Sequence, residues 1–206
     1  MKVLVIGATG GTGKHLVRKL LEQGHEVTAF ARNPADVATK HERLRVVKGD
    51  ARDLATVEAA VAGQDAVLNA FGPRSLKRDD LQEVQMRHLV AAMKKHGVKR
   101  VVNLSAAGAG DSAHTSPFFF KIIRGTVLRH VYADKNRAEP LLLNSDLEFI
   151  NVRPGQLLDT AARGGVRVSK TGKDVKLQLT REDLADFMIG QLSSAEHVRS
   201  SPVIGY

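Results

Sequence analysis

Three glycines in the spacing Gly7-x-x-Gly10-x-x-Gly13, an arginine at position 32, and the hydroxyl and amine side chains Ser105, Tyr132 and Lys135 are the residues of this chain best suited to chemistry. Glycines at that spacing let a backbone turn sharply and approach a pyrophosphate. The helix that follows then meets the anion with unpaired N–H groups and its positive dipole end. The spacing alone is a weak signal, and its context strengthens it. Residues 2–6 run as a short, mainly aliphatic strand into the first glycine, and an amphipathic helix opens near Gly11 with Leu16, Val17, Leu20 and Leu21 on one face. A dinucleotide site is expected over positions 7–13, against the alternative of a glycine-rich turn that holds nothing.

About twenty residues further on, the chain distinguishes between two nucleotides. An NAD site usually places a carboxylate at the end of the second strand for the ribose 2′-hydroxyl, whereas an arginine nearby suits a 2′-phosphate. The strand over 26–30 is followed by Ala31, Arg32 and Asn33, with no carboxylate among them. A guanidinium makes two charge-assisted bonds to a phosphate and has no such partner on a bare ribose. NADPH is the expected cofactor; the alternative is that Arg32 is a solvated surface residue.

The elements that must position these residues alternate along the whole chain. Strand patterns fall at 44–48, 66–69, 100–104 and 147–152, and helical ones at 54–61, 79–96, 127–144 and 180–192. Gly97 stops the long third helix, and Thr180 with Asp183 makes a capping box at the start of the last. This order predicts an α/β, Rossmann-type, doubly wound parallel sheet. No repeat or linker divides it, so one domain over 1–206 is expected, with 117–137 and 153–178 as substrate-side segments.

Ligands in such sheets sit beyond the carboxyl ends of the strands. After the third strand, Asp50 either accepts from an adenine amino group or caps the helix at Leu54. After the fourth, Ala70, Phe71 and Gly72 would run under the ribose and nicotinamide, although Gly72-Pro73 is also an ordinary turn signal. After the fifth, Ser105 is a hydrogen-bond donor near the reacting carbon or a helix or turn cap. After the sixth, Pro154 and Gly155 are placed against the carboxamide. Phe118, Phe119 and Phe120 either wall a flat apolar ligand or belong to the core, and Lys121, Arg124, Arg129 and Arg137 offer anion contacts.

With 206 residues, 43% hydrophobic and 26% charged, the chain is long enough for a full α/β core. Its net charge of +9 draws in anions. Nucleic acid is not the expected partner, because the basic residues are scattered, aromatics are 4% of the chain and there is no Trp. The absence of cysteine removes disulfides and thiol chemistry, and the eight histidines lack metal-ligand spacing, so no metal is expected. No apolar stretch approaches the roughly eighteen residues of a membrane span. No membrane association, a cytoplasmic location and a monomer are the corresponding expectations.

Taken together, GATGGTG with an arginine after the second strand, Gly63-Gln64-Asp65-Ala66-Val67, Ala91-Ala92-Met93 before His96-Gly97-Val98, Ser105, and Asn144-Ser145-Asp146-Leu147-Glu148-Phe149 leading to Val152-Arg153-Pro154-Gly155 carry a resemblance. The chain resembles the atypical short-chain dehydrogenase/reductase family, in particular its NmrA-like group, which includes biliverdin-IXβ and flavin reductases. The resemblance implies NADPH and a small planar, anionic electron acceptor such as FMN, FAD, a quinone or a bilin. By position it implies that Gly7, Thr9, Gly10, Gly11, Thr12 and Gly13 hold the pyrophosphate and Arg32 the 2′-phosphate. It further implies Asp50 and Ala51 at the adenine, Ala70, Phe71 and Gly72 at the nicotinamide ribose, and Ser105 at the nicotinamide.

The chain departs from the relatives in two places. Ordinary short-chain enzymes use Tyr-x-x-x-Lys, whereas here Asn136 takes the lysine's place and Lys135 stands one residue early. Tyr132 and Lys135 still share a helix face at i, i+3, and the atypical members often keep only the lysine. Gly155 stands where the bilin and flavin reductases tend to carry a histidine. Hydride transfer to a delocalising acceptor needs no strong acid, which suits a site with Ser105 and Lys135 as its polar groups. The alternatives are a dehydrogenase, epimerase or dehydratase using Tyr132 or Lys135 as acid/base, and a redox sensor that binds NADP(H) without turnover.

Overall fold

In a computed structural model, which describes residues 1–73, 75–113 and 125–206, the first strand is central. β1 (Lys2–Ile6) pairs in parallel with β2 (Glu26–Ala31) on one side and β4 (Ala66–Asn69) on the other. Side chains alternate across a strand. Val3 and Val5 therefore enter one core with Leu16, Leu20, Leu184 and Met188, while Leu4 and Ile6 enter a second with Leu89, Met93 and Leu142. Burial on both faces explains why residues 3–6 carry no polar break.

The sheet continues through β3 (Leu44–Lys48), β5 (Arg100–Leu104), β6 (Glu148–Pro154), β8 (Arg167–Ser169) and β10 (Val203–Gly205), in the order β3-β2-β1-β4-β5-β6-β10-β8. All pairs are parallel except β10 with β8. β7 (Gln156–Leu158) and β9 (Gln178–Thr180) form a separate parallel ribbon. Helices α1 (Gly11–Glu22) and α5 (Arg181–Gly190) pack together on the first core. Helices α2 (Leu54–Val61), α3 (Leu81–His96) and α4 (Arg129–Leu143) cover the second. This is the expected Rossmann-type sheet, and its strand order reverses between β1 and β4, opening a crevice at their carboxyl ends.

The long elements fall within two residues of the sequence reading, with one informative extension. β6 runs on to Pro154 because Arg153 and Pro154 pair with Val203 and Ile204. Strands β7 to β10 were not anticipated; three residues each are too few to show a period. Among the described residues no helix is long and apolar enough to cross a membrane.

Helix α5 begins as its capping residues predict, since Thr180 Oγ1 accepts from the Asp183 N–H at 3.0 Å. Asp183 does more than cap. Its carboxylate accepts from the Arg163 and Gly164 N–H groups and from the Thr180 and Tyr206 hydroxyls, tying three separate segments together. Burial pushes this carboxyl up, but the donors, the Arg163 N–H foremost, outweigh it and hold the group at about 2. A depressed folded-state pKa contributes stability above the unfolded value of about 3.9 that is lost as pH falls toward the folded one. Thermal melts should therefore show stability falling between about pH 4 and pH 2, with Asp183→Asn less stable at neutral pH and flatter across that window. An unchanged acid profile in the variant would contradict this assignment.

Candidate cofactor and active site

Gly7 leaves β1 with φ +78°, and a Cβ there would stand 2.6 Å from the carbonyl oxygen of Ala70. The two backbones approach this closely because the Ala70 N–H donates to the last carbonyl of β1, that of Ile6, at 2.9 Å. Gly10 turns the loop with a bond from its N–H to the Gly7 carbonyl at 2.9 Å, and a Cβ on Gly13 would overlap that same carbonyl. Helix α1 starts on Gly10 with no side-chain cap and no acidic residue in its first turn. Its first N–H groups are thus left to an anion.

From this loop a groove of about 820 Å³ crosses the carboxyl edge of the sheet. That is within the range of sites for cofactor-sized ligands. Gly7, Thr9, Gly10, Gly11 and Thr12 line one end, Ala70, Phe71 and Gly72 the middle, and Ser105, Lys135, Pro154 and Gly155 the other. An adjoining cleft is lined by Arg32, Asp50 and Ala51 together with Phe30 and Phe71. Arg32 is exposed and makes no ion pair among the described residues. Gly13 lies beneath the loop, buried in α1. The shape and donor set fit a dinucleotide laid with its diphosphate on the glycine loop.

The cap before α2 is Asp53, whose carboxylate accepts from the Ala55 N–H, so the capping alternative for Asp50 does not hold. One Asp50 oxygen instead accepts from the Arg52 N–H at 2.9 Å and shapes the turn. Ser105 is not a cap either: its hydroxyl donates to Glu139. The residues after it are held to β6 by the Ser105 N–H on Val152 and the Ala107 N–H on Pro154.

The polar ends of Tyr132 and Lys135 have different partners. The Tyr132 hydroxyl donates to the Ala107 carbonyl at 2.8 Å, and Tyr132 does not line the groove. Lys135 lines it, with Nζ donating to Gln82 Oε1 at 3.0 Å. Burial lowers the Lys135 ammonium to about 8, against the opposing pull of Glu139 and Asp134. Of the expected anion contacts, Arg137 is committed to Glu83 and Asp134, and Arg129 donates to the His130 ring. Phe118, Phe119, Phe120, Lys121 and Arg124 lie outside the described residues. The rest of the 117–137 segment is largely α4, packed on α3.

Behind the groove lies a buried polar chain that the sequence reading missed. Asn69, Asn103 and Asn151 stand in register on β4, β5 and β6. Asn69 donates to Asn103 at 2.7 Å, Asn103 to Asn151 at 2.7 Å, and Asn151 to Glu139 at 2.9 Å. Every amide points its hydrogens toward the same carboxylate, so each bond polarises the next. Glu139 also binds the guanidinium of Arg153, which is 2% exposed, at 2.7 Å. The signal was present: one asparagine among the apolar residues of each of three strands. Arg181, on the groove wall beside Gly11, was also missed.

A crossed-over parallel sheet with a glycine cradle at its switch point and a groove along its carboxyl edge defines a nucleotide-binding Rossmann protein. The chain belongs to the NAD(P)H-binding family, whose model matches residues 7–195. Sterol demethylase protein B of Methylococcus capsulatus is 38% identical over 117 residues, which are 53% of this chain and 35% of that one. The chain thus spans about a third of that relative's length. Two solved structures superpose over all of it. ChuY of Escherichia coli O157:H7, described as an anaerobilin reductase, gives TM-score 0.83 at 24% identity over 97% of its own chain. A Veillonella parvula short-chain dehydrogenase/reductase in complex with NADP gives 0.83 at 20% identity over 94%.

The polar chain makes a definite demand on stability. Among the described residues, removing Glu139 leaves the buried Arg153 with only Asp111, whose side chain is 89% exposed. Breaking a buried pair from one side costs about 3–5 kcal/mol. Urea denaturation of Glu139→Ala should show a loss of that order, and a loss below about 1 kcal/mol would mean the pair is not holding the core.

Proposed function

We propose that this protein is an NADPH-dependent reductase that passes hydride to a flavin or another small planar acceptor, a quinone or a bilin. The observation that carries this reading is the position of the Tyr132 hydroxyl, bound to the Ala107 carbonyl away from the groove. Lys135 is then the titratable group lining the groove at the Ser105 end. Reduction of an isolated carbonyl creates an alkoxide that must be protonated or stabilised at once. A conjugated ring system spreads the incoming charge and makes a lesser demand.

A bound reduced nicotinamide supplies the hydride itself. Ser105, its proton directed to Glu139, presents its oxygen as an acceptor that orients what lies above it. Lys135 offers a positive charge and an exchangeable proton to the reduced acceptor. Phe71, Leu104 and Leu157 furnish apolar walls that exclude water. Gly155 keeps its place bare, since a Cβ there would overlap the Leu177 carbonyl, so this chain has no room for the side chain that related reductases carry. The net charge of +9 favours anionic acceptors such as FMN. The likeness to a bilin reductase and to an NADP complex supports the same reading. So does Arg32, free at the edge of the adenosine cleft, for NADPH over NADH. Lys135 also favours a second reading, an acid/base enzyme on a carbonyl or hydroxyl substrate.

Loss of NADPH absorbance should accelerate when the protein meets at least one of FMN, FAD, a quinone or biliverdin. Failure with all four would remove the proposal. Lys135→Met should slow that transfer without abolishing it, whereas complete loss would favour the second reading. Arg32→Ala should weaken NADPH by about 10- to 100-fold, the value of a charge-assisted bond, and leave NADH almost unchanged. Equal losses for both would return Arg32 to the solvated surface.

A further inference from the structure

Gly11, the first residue of α1, has no unusual backbone angle that would call for glycine. Its missing side chain is instead replaced by another residue: a Cβ there would overlap the guanidinium Nε of Arg181 and stand 2.7 Å from its Cδ. Arg181 opens α5, which packs beside α1, and its side chain lies against the glycine loop, lining the groove there. Nε is paired with Asp159, just beyond β7, at 3.1 Å. The buried Nη1 has no hydrogen-bond partner among the described residues. A buried guanidinium N–H without an acceptor is costly, and arginine donors of this kind are well matched to phosphate.

On the reading that the groove holds a dinucleotide, we propose that Arg181 is a ligand of the cofactor diphosphate, donating from beside the α1 N-terminus. The diphosphate would then meet two sources of positive charge, the uncapped N–H groups of α1 and the Arg181 guanidinium. The same guanidinium holds Asp159 and with it the β7–β9 ribbon, whose Leu157 walls the acceptor end. Occupancy of the diphosphate site thereby steadies the wall against which the acceptor packs. With Gly11 bare, the Arg181 side chain can lie against the loop.

Calorimetric titration with three nucleotides separates the possibilities: NADPH, 2′-phospho-ADP-ribose, which keeps the diphosphate, and 2′,5′-ADP, which has a single 5′-phosphate. Arg181→Ala should weaken the two diphosphates by about 10- to 100-fold and 2′,5′-ADP by no more than about 3-fold, with Arg181→Lys intermediate. Unchanged NADPH affinity in Arg181→Ala overturns the proposal. So does an equal loss for all three nucleotides, since that makes Arg181 a structural brace. Should Arg181→Ala fail to melt cooperatively, the same comparison is read from Arg181→Lys, where equal affinity for NADPH is the overturning result. A native protein that binds none of the three refutes the cofactor reading itself, a different outcome from native binding with an indifferent Arg181.

Discussion

The contact between the backbones of Gly7 and Ala70 is the constraint on which the rest of the site depends. β1 and β4 are neighbours whose chains turn away from each other at their carboxyl ends, and a side chain on Gly7 would collide with the Ala70 carbonyl. With that collision absent, the loop folds back, Gly13 fits beneath it, and α1 starts with its N–H groups facing the crevice. A helix N-terminus with no cap and no acid of its own is electrostatically unfinished. Here the missing partner is negative and lies where the groove begins.

Charge is distributed unequally along the groove, and that inequality matches the chemistry proposed for it. At the glycine-loop end stand Lys14, Arg181 and the α1 N-terminus, suited to phosphates. At the far end the strong charges have been moved behind the wall. Glu139 and Arg153 neutralise each other, and the asparagines of three strands point into that pair. Asp134 caps α3 from across the interface, accepting from the Gln82 and Glu83 N–H groups, because the local residue Asp80 makes no such bond. Among the described residues, what remains facing the groove at that end is the Ser105 hydroxyl and the Lys135 amine, set among apolar walls. Such a surface is the one the proposed hydride transfer to a flat ring system would call for.

Much of this was legible in the sequence, for identifiable reasons. β1 to β6 and the main helices carry four or more residues of clear period and are bounded by glycine, asparagine or a cap, so their places could be read directly. The glycine spacing and Arg32 are local signals and came through. Contacts between distant segments were not legible. Spacing put Tyr132 and Lys135 on one helix face, but their polar ends go to Ala107 and Gln82 on different elements. Asp50 could be read as an adenine contact or as a cap, and the structure gives the capping task to Asp53. Arg181 stands inside the capping-box segment and drew no reading of its own, because nothing near it in sequence shows that it lies against Gly11. The three asparagines were visible, but their meaning depends on strand register, which a single strand does not encode.

The account stands most directly on where a nicotinamide dinucleotide lies, and backbone amide NMR during titration with NADP⁺ measures that. The amides of Gly10, Gly11 and Thr12 should shift together with those of Ser105 and Ala106, at a common midpoint, because one molecule would span the groove from end to end. Shifts confined to exposed basic residues away from this edge, or no shift at all, would contradict the account.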